Sequence, residues 1–249
     1  MKYRTATISE TGNVRRHNED SFLVRRETIG KDEVLLAVVA DGVGGLSYGD
    51  KASRMVIDAM EQWWDSVIVP LREKPNLQML GEMLQFVLEN IHTRVCEEME
   101  RLQARMGSTA SLIFICGSTY LICQVGDSRI YLIEKKQVLR LTVDQTWCQR
   151  ELEAGNLTEA EIPGHEKGHV LTNAIGIKTP FYSVVQHGTL KKGQRVAVCS
   201  DGFYSEISMY ELCPKRFRRD LQEELHRAAD IIRQGEAADN FTAVLIEAC

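Results

Sequence analysis

Six acidic residues stand where an apolar run of the sequence begins or ends: Glu19, Asp20, Asp41, Asp127, Asp201 and Asp239. Two of the runs, VLLAVVA and RVAVCS, are each followed at once by Asp-Gly, at Asp41-Gly42 and Asp201-Gly202. A rigid strand holds a carboxylate at its end in place, and a glycine after it leaves room for a ligand to approach. The pattern therefore predicts one site that is built from several strand ends.

Carboxylates that share a small volume repel one another, so their pKa values rise or the fold opens unless cations neutralise them. A set of ligands that are all oxygen atoms favours Mg²⁺, Mn²⁺ or Ca²⁺ over zinc or copper. Any one Asp-Gly pair alone is better explained as a common turn. The whole set of acids, with Asn18-Glu19-Asp20 upstream, instead favours a metal site.

The composition favours a single domain over 1–249. The chain has 249 residues, 44% of them hydrophobic, and no long polar linker. Its net charge is -5 and its acids form no block, so we expect no nucleic-acid partner. It lacks a signal peptide and the ~18 apolar residues of a membrane helix, so we expect a cytoplasmic protein without membrane insertion. Its seven cysteines lack metal-binding spacing, which indicates reduced core thiols.

Hydrophobic periodicity predicts the elements that must position these acids. Strand-type patterns occupy 2–8, 21–26, 34–40, 110–117, 120–126, 129–135, 138–142, 182–190, 194–200 and 241–248. Helix-type patterns occupy 50–67, 75–105, 145–162 and 215–234. In the second helix, apolar residues from Met79 to Leu102 recur every three or four positions, so one face should be packed.

The order of these elements favours an α+β fold with antiparallel sheets, because strands and helices do not alternate regularly. The four strands between 110 and 142 follow one another with short breaks, which indicates an antiparallel meander. Residues 163–172 are glycine-rich and irregular, and with 145–162 they are expected to form a flap-like segment near a site.

Seven motifs, in order, resemble those of the metal-dependent PP2C (PPM) family of serine/threonine protein phosphatases in its short bacterial form. They are TGNVRRHNED (11–20), ADGVGG (40–45), GSTAS (107–111), VGDSRIY (125–131), LTNAIG (171–176), SDGF (200–203) and DNFTAVLI (239–246). The resemblance implies a four-layer α-β-β-α sandwich that hydrolyses phosphoserine and phosphothreonine with a metal-activated water. It implies two Mn²⁺ or Mg²⁺ ions, with a weaker third ion in similar bacterial enzymes. We expect a monomer that acts on phosphoprotein substrates shared with a cognate Ser/Thr kinase.

The resemblance also implies which residues hold the two ions. Asp41 matches the carboxylate that bridges the metals and orients water, and the carbonyl oxygen of Gly42 matches a ligand of one metal. The matching set of metal ligands is therefore Asp20, Asp41, Gly42, Asp201 and Asp239.

Three further residues match positions around these ligands. Glu19 matches a residue that holds metal-bound water, and Arg15 matches the arginine that binds the substrate phosphate. A guanidinium suits that role because it can donate two parallel hydrogen bonds. Asp127 matches a position that, with Asp201, holds the third ion, although a β-turn aspartate between two strands is an equally good interpretation.

The chain departs from the family pattern at three places. Val43 stands where animal relatives have a histidine, so that general acid is missing and the leaving alkoxide would take its proton from water. Asn173 replaces a basic residue. No aspartate follows Asp201 closely enough to complete the third site as in animal relatives.

Two alternatives compete with this interpretation. Cys123–Arg129 and Cys213–Arg219 both fit the C-x-x-x-x-x-R pattern of a cysteine-dependent phosphatase. Asp127 would repel a phosphate inside the first, and Pro214 removes a backbone amide from the second. A catalytically silent regulatory binding module with the same fold is the stronger alternative, and loss of a metal ligand would favour it.

We predict that Asp41→Asn abolishes turnover and weakens metal binding with little loss of fold, because it removes one charge from an anionic cluster. Cys123→Ser should keep its activity. Assays of both variants on p-nitrophenyl phosphate check this, and a result in which only the cysteine variant is inactive would overturn the metal mechanism.

Overall fold

The apolar runs of the sequence form the strands of two five-stranded antiparallel sheets. The computed structural model describes residues 1–43, 48–177, 180–214 and 220–249. The first sheet has the order β1-β10-β9-β6-β7 and the second the order β2-β3-β4-β5-β8. The strands are β1 (Tyr3–Glu10), β2 (Ser21–Ile29), β3 (Asp32–Ala40), β4 (Ala110–Cys116), β5 (Thr119–Val125), β6 (Arg129–Ile133), β7 (Val138–Arg140), β8 (Val184–Thr189), β9 (Arg195–Cys199) and β10 (Phe241–Ala248).

Strand β3 shows why the run VLLAVVA is apolar at every position. Leu35 and Val39 pack against residues of the first sheet, such as Val198 and Val244, in the layer between the sheets. Leu36 and Val38 face the other way and pack against the helices outside the second sheet. Because both faces of the strand are covered, no position is left for a polar side chain.

Helices cover the outer faces of both sheets, so the fold is the expected α-β-β-α sandwich. On the second sheet lie α1 (Gly49–Trp63), which continues as a π-helical turn over Trp64–Ile68, and α2 (Leu77–Leu102). On the first sheet lies α5 (Leu221–Gln234), which contacts β1 and whose Leu225, Ala229 and Ile232 belong to the core on this side of the sheet. The remaining helices, α3 (Trp147–Glu153) and α4 (Asp201–Tyr204), are short.

The buried face of α2 differs from the predicted one at its start. Asn76 caps the helix by accepting hydrogen bonds from the amides of Gln78 at 2.9 Å and Met79 at 3.2 Å. Leu80, Leu84 and Leu88 are buried, but Met79 is 62% exposed, so its assignment to the packed face is wrong. Met79 precedes Leu84 by five residues, which turns its side chain about 140° away from the core at 3.6 residues per turn.

The predicted four-strand meander is also wrong as a single sheet. β4 and β5 pair in the second sheet, whereas β6 and β7 pair in the first. Residues 126–128 carry the chain between the sheets, and Gly126 adopts a φ of +94° there. A Cβ on Gly126 would lie 2.7 Å from the side chain of Thr109, so glycine is required on both counts. Asp127 therefore lies in a crossover and not in a turn between paired strands.

Two other predictions fall partly on residues that the structure does not describe. The last helix was expected over 215–234, but it begins at Leu221, because Asp220 is extended and caps it by accepting from the amide of Gln222 at 2.8 Å. Residues 215–219, including Arg219 of the second cysteine pattern, and Gly44-Gly45 of ADGVGG lie outside the described residues. Across the described part of the chain, none of the helices is both long and apolar enough to cross a membrane.

The packing of α2 predicts opposite results at two of its residues. Leu84→Ala should lower the free energy of unfolding by about 2–5 kcal/mol, because it leaves a cavity in the core. Met79→Ala should change it by less than about 0.5 kcal/mol. Urea denaturation of both variants measures this, and equal losses would contradict the burial described above.

Candidate active site at the strand ends

One cavity of about 410 Å³ gathers acidic side chains from the ends of both sheets. It is lined by Arg15, Asp41, Gly42, Val43, Thr109, Asp127, His169, Leu171, Asp201 and Asp239. Six of the eight predicted site residues thus line one cavity, and the other two, Glu19 and Asp20, lie beside it. The strand ends, which the sequence separates by as many as 220 positions from Glu19 to Asp239, meet because β3 and β9 belong to facing sheets.

The backbone around Asp41 is fixed at three points. The Asp41 amide donates to Oγ1 of Thr109 at 3.0 Å, and the Asp41 carbonyl accepts from the Thr109 amide at 2.8 Å and from Oγ of Ser108 at 3.0 Å. Gly42 follows in close contact with Gly49, since a Cβ on Gly42 would lie 2.5 Å from the Gly49 carbonyl carbon. The glycine of this Asp-Gly pair is therefore required by packing, and the aspartate is held rigidly.

Asp20 lies behind the cavity wall and is only 8% exposed. Its Oδ2 accepts a hydrogen bond from Oγ of Ser200 at 2.7 Å, whereas its Oδ1 is buried without a hydrogen-bond partner among the described residues. Burial raises the pKa of Asp20 to about 7, with Asp201 and Asp239 adding to the rise. An unpartnered buried carboxylate oxygen is costly, which indicates a cation as its partner.

The other carboxylates of the cluster perturb one another. Burial and the charges of Asp20 and Asp201 raise the pKa of Asp41 well above its usual range. Burial also raises the pKa of Asp127 to about 8. Burial favours the neutral form of Asp201 too, but the neighbouring His169 and Asp41 side chains outweigh it and lower the pKa of Asp201.

Two basic side chains face the cluster. Arg15, from the loop after β1, places Nη2 2.8 Å from Oδ2 of Asp239. His169, from the flap-like segment, places Nδ1 3.6 Å from Oδ2 of Asp201, and the proximity of that carboxylate raises the pKa of His169. Arg15 is thus at the cavity, where the resemblance puts a phosphate-binding arginine.

Glu19 lies at the junction between the loop and α1. Its carbonyl accepts from the amide of Gly42 at 3.2 Å and from Oγ of Ser53 at 2.5 Å. Its carboxyl group packs against Gly49 in the first turn of α1. Burial raises the pKa of Glu19.

The donors fit a hard divalent cation in chemistry. They are carboxylates and the carbonyl of Gly42, all oxygen atoms, as Mg²⁺ and Mn²⁺ prefer. Over the described ranges, no three His, Cys, Asp or Glu side chains are arranged to hold one ion together. Mg²⁺ commonly takes only one or two carboxylates and completes its shell with water. Divalent ions can also displace protons held by a carboxylate cluster.

The cysteine-dependent alternative fails at Cys123. This residue is fully buried in β5, and burial raises the pKa of its thiol to about 11, so it is neither accessible nor ionised. Arg129 of the same pattern is bound to Asp144, with Nη2 2.6 Å from Oδ2, and its guanidinium stacks 3.7 Å from the ring centre of Tyr204. This arginine fixes the crossover to its neighbours, so its guanidinium is not available to bind a phosphate.

The departures from the family pattern have structural counterparts. Val43 lines the cavity with a side chain that has no acidic proton to donate. Asn173 is fully buried away from the cavity and donates to Oε1 of Gln145 and to the Tyr182 carbonyl, both at 2.7 Å. It therefore joins the two ends of the flap-like segment to the strand that follows.

Several functional contacts were missed from the sequence. Thr109, His169 and Ser200 contact the acidic residues directly. Thr109 and Ser200 lie within the quoted motifs GSTAS and SDGF. For Ser200, a hydroxyl residue directly before the strand-end acid Asp201 was the signal that could have found it, whereas Thr109 has no acid beside it in the sequence. His169 stands in an irregular segment with no such signal.

Comparison with known proteins identifies proteins similar to this chain over most of its length. A family model described as Protein phosphatase 2C matches residues 13–236. The serine/threonine phosphatase stp of Listeria innocua is 26% identical over 242 residues, which are 96% of this chain and 93% of that protein. The S. agalactiae serine/threonine phosphatase has the same fold, with a TM-score of 0.87 at 22% identity over 100% of both chains. The catalytic domain of the protein phosphatase PstP, solved in complex with two manganese ions, gives a TM-score of 0.77 at 26% identity, covering 98% of this chain and 97% of that one.

The raised pKa values of Asp20 and Asp127 predict how stability depends on pH when divalent cations are chelated. The folded state keeps protons that the unfolded chain loses above about pH 4, so the free energy of unfolding should fall as pH rises toward 7 and 8. One such group gives a slope of up to about 1.4 kcal/mol per pH unit. Asp127→Asn should flatten the curve and be more stable than wild type at pH 8. Urea unfolding in EDTA across this range measures both, and parallel curves would contradict the assignment.

Proposed function

The chain belongs to the protein phosphatase 2C family and is a metal-dependent serine/threonine protein phosphatase, and we propose that the carboxylates at its strand ends and Arg15 form the site of this reaction. The observation that carries the proposal is the single cavity in which Asp41 faces Asp127, Asp201 and Asp239. Its substrates are phosphoproteins, and its cofactors are Mn²⁺ or Mg²⁺ ions.

In the proposed site, Asp20, Asp41, Asp201, Asp239 and the Gly42 carbonyl hold two divalent ions, and Glu19 holds water bound to them. The ions would supply activation of water as the nucleophile and neutralisation of the substrate phosphate. Asp127, with Asp201, would hold a weaker third ion. The burial of Asp127, 7% exposed, and its raised pKa support a cation partner for it.

The side chains of the protein itself position and stabilise the substrate. Arg15 is 40% exposed in its side chain and reaches the cavity from a loop, so its guanidinium can turn from Asp239 to the phosphate oxygens. There it would stabilise the charge that develops as the phosphoryl group is transferred. Val43 supplies no proton, so the leaving serine or threonine alkoxide takes its proton from water.

The catalytically silent alternative is not favoured. Asp20, Asp41, Asp201 and Asp239 are all present, and each is a carboxylate at or beside the cavity. A binding module that had lost its chemistry would have no need to keep four mutually repelling carboxylates in one cluster.

We further propose that 1–249 acts as one catalytic domain with a flap at about 145–172. The ends of this segment are joined, since the Trp147 amide donates to the Val170 carbonyl at 2.7 Å and Thr146 bridges to Leu171. His169 and Leu171 bring it to the cavity. We also propose a cytoplasmic monomer that reverses the work of a cognate Ser/Thr kinase.

The test is hydrolysis by metal-stripped protein of p-nitrophenyl phosphate and a phosphothreonine peptide, titrated with Mn²⁺, Mg²⁺ and Zn²⁺. We expect activity with Mn²⁺ or Mg²⁺ but not with Zn²⁺, and a loss of at least 100-fold in Asp201→Ala, because that variant lacks a proposed ligand. Full activity in Asp201→Ala would refute the assigned site. If neither substrate were turned over although the metals bind, the result would favour the catalytically silent regulatory binding module instead.

A further inference from the structure

Asn240 is an almost fully buried residue between Asp239 and β10. It does not line the cavity itself, and its backbone amide donates to Oδ1 of Asp239, which does, at 2.8 Å. It is 4% exposed. Its Nδ2 donates to the Thr11 carbonyl at 2.8 Å and to the His17 carbonyl at 3.0 Å, and its Oδ1 accepts from the Glu19 amide at 2.9 Å. One side-chain amide thus uses both of its protons and its oxygen on three backbone groups of one loop.

That loop, residues 11–19, connects β1 to β2 and carries Arg15 at its exposed middle. It lies against the segment before β10, because the Asn13 amide donates to the Ala237 carbonyl at 2.8 Å. Gly12 has a φ of +75°, and a Cβ there would lie 2.2 Å from the Asp239 carbonyl oxygen. The described loop has no regular secondary structure of its own, so its shape depends on these contacts.

We propose that Asn240 is a positioning residue that holds the 11–19 loop in the form that presents Arg15 to the substrate phosphate and Glu19-Asp20 to the metal cluster. The inference rests on the proposed function of Arg15. Asn240 acts through these residues. Because it directly follows Asp239 and bonds to the loop before β2, it fixes Asp239 relative to Glu19 and Asp20.

The chemistry of the contact explains why the residue is an asparagine. An aspartate has the same shape and could still accept from Glu19, but it would set an oxygen against the Thr11 and His17 carbonyls. A buried donor or acceptor that loses its partner costs about 1–3 kcal/mol. The loop would therefore move away from the site, because staying would leave its two carbonyl groups without donors. A residue that only filled space would tolerate Asn240→Asp.

The first test is limited trypsin digestion with cleavage after Arg15 and Arg16 quantified by mass spectrometry. We expect Asn240→Ala and Asn240→Asp to be cut there at least tenfold faster than wild type. The control is Gln194→Ala, which removes another buried amide, bonded to Lys191 and Glu134 at the opposite end of β9 from Asp201. Its cleavage at Arg15 and Arg16 should not change. Equal cleavage in all four proteins would overturn the proposal.

The second test is a double-mutant cycle on p-nitrophenyl phosphate with saturating Mn²⁺. Asn240→Ala should raise KM at least fivefold, and adding it to Arg15→Ala should raise KM by no more than twofold further, because both act on one contact. Additive effects would show that Asn240 does not act through Arg15. If wild type turned over no substrate, the proposed function would fail, while the trypsin result would still judge the role of Asn240 in the loop.

If the Asn240 variants do not fold, hydrogen exchange in wild type decides the same question. The Glu19 amide lies outside the strands, so its protection would depend on Oδ1 of Asn240. Protection of at least 100-fold is expected. Exchange at the rate of an unprotected amide would overturn the proposal.

Discussion

The main constraint on this structure is the mutual repulsion of carboxylates that the fold brings close together. In solvent the same charges would move apart. Asp20 and Asp127 are 8% and 7% exposed and have pKa values raised by burial to about 7 and about 8. Such a cluster destabilises the folded chain until protons or divalent cations neutralise it. The same repulsion favours the binding of hard cations at the proposed site, because oxygen ligands that are already assembled lose little entropy on binding.

The sandwich resists this repulsion because each acid belongs to a rigid element or is bonded to one. Asp41 follows β3, which is buried from Glu33 to Ala40, and Ser108 and Thr109 fix its backbone. Asp201 starts α4, and Ser200 before it donates to Asp20. The hydroxyl and amide side chains between the acids therefore hold these elements together without adding further negative charge to the cluster. Arg15 and His169 come from irregular segments instead, which suits the proposed turn of Arg15 from Asp239 to a substrate phosphate.

The sequence predicted that these acids lie close together. Each acid stands where an apolar run abruptly begins or ends, and such a change can be recognised from a single residue. Strands with two covered faces, such as β3, were equally clear. Periodicity could not show that the chain leaves one sheet for the other at Gly126, because β5 and β6 have the same strand pattern whichever sheet they join. It also misjudged Met79, where hydrophobicity alone does not give direction around the helix. The contacts of Thr109 and His169 are tertiary, and only the assembled fold brings them to the acids.

Calorimetric titration of metal-stripped wild-type protein with Mn²⁺, run in buffers of different ionisation enthalpy at pH 7, tests the central claim most directly. If a protonated carboxylate cluster is the binding site, at least two ions should bind, protons should be released on binding, and the free energy of unfolding should rise with Mn²⁺. Asp41→Asn should bind more weakly and release fewer protons. Binding without proton release, or an equal response from Asp41→Asn, would contradict the account.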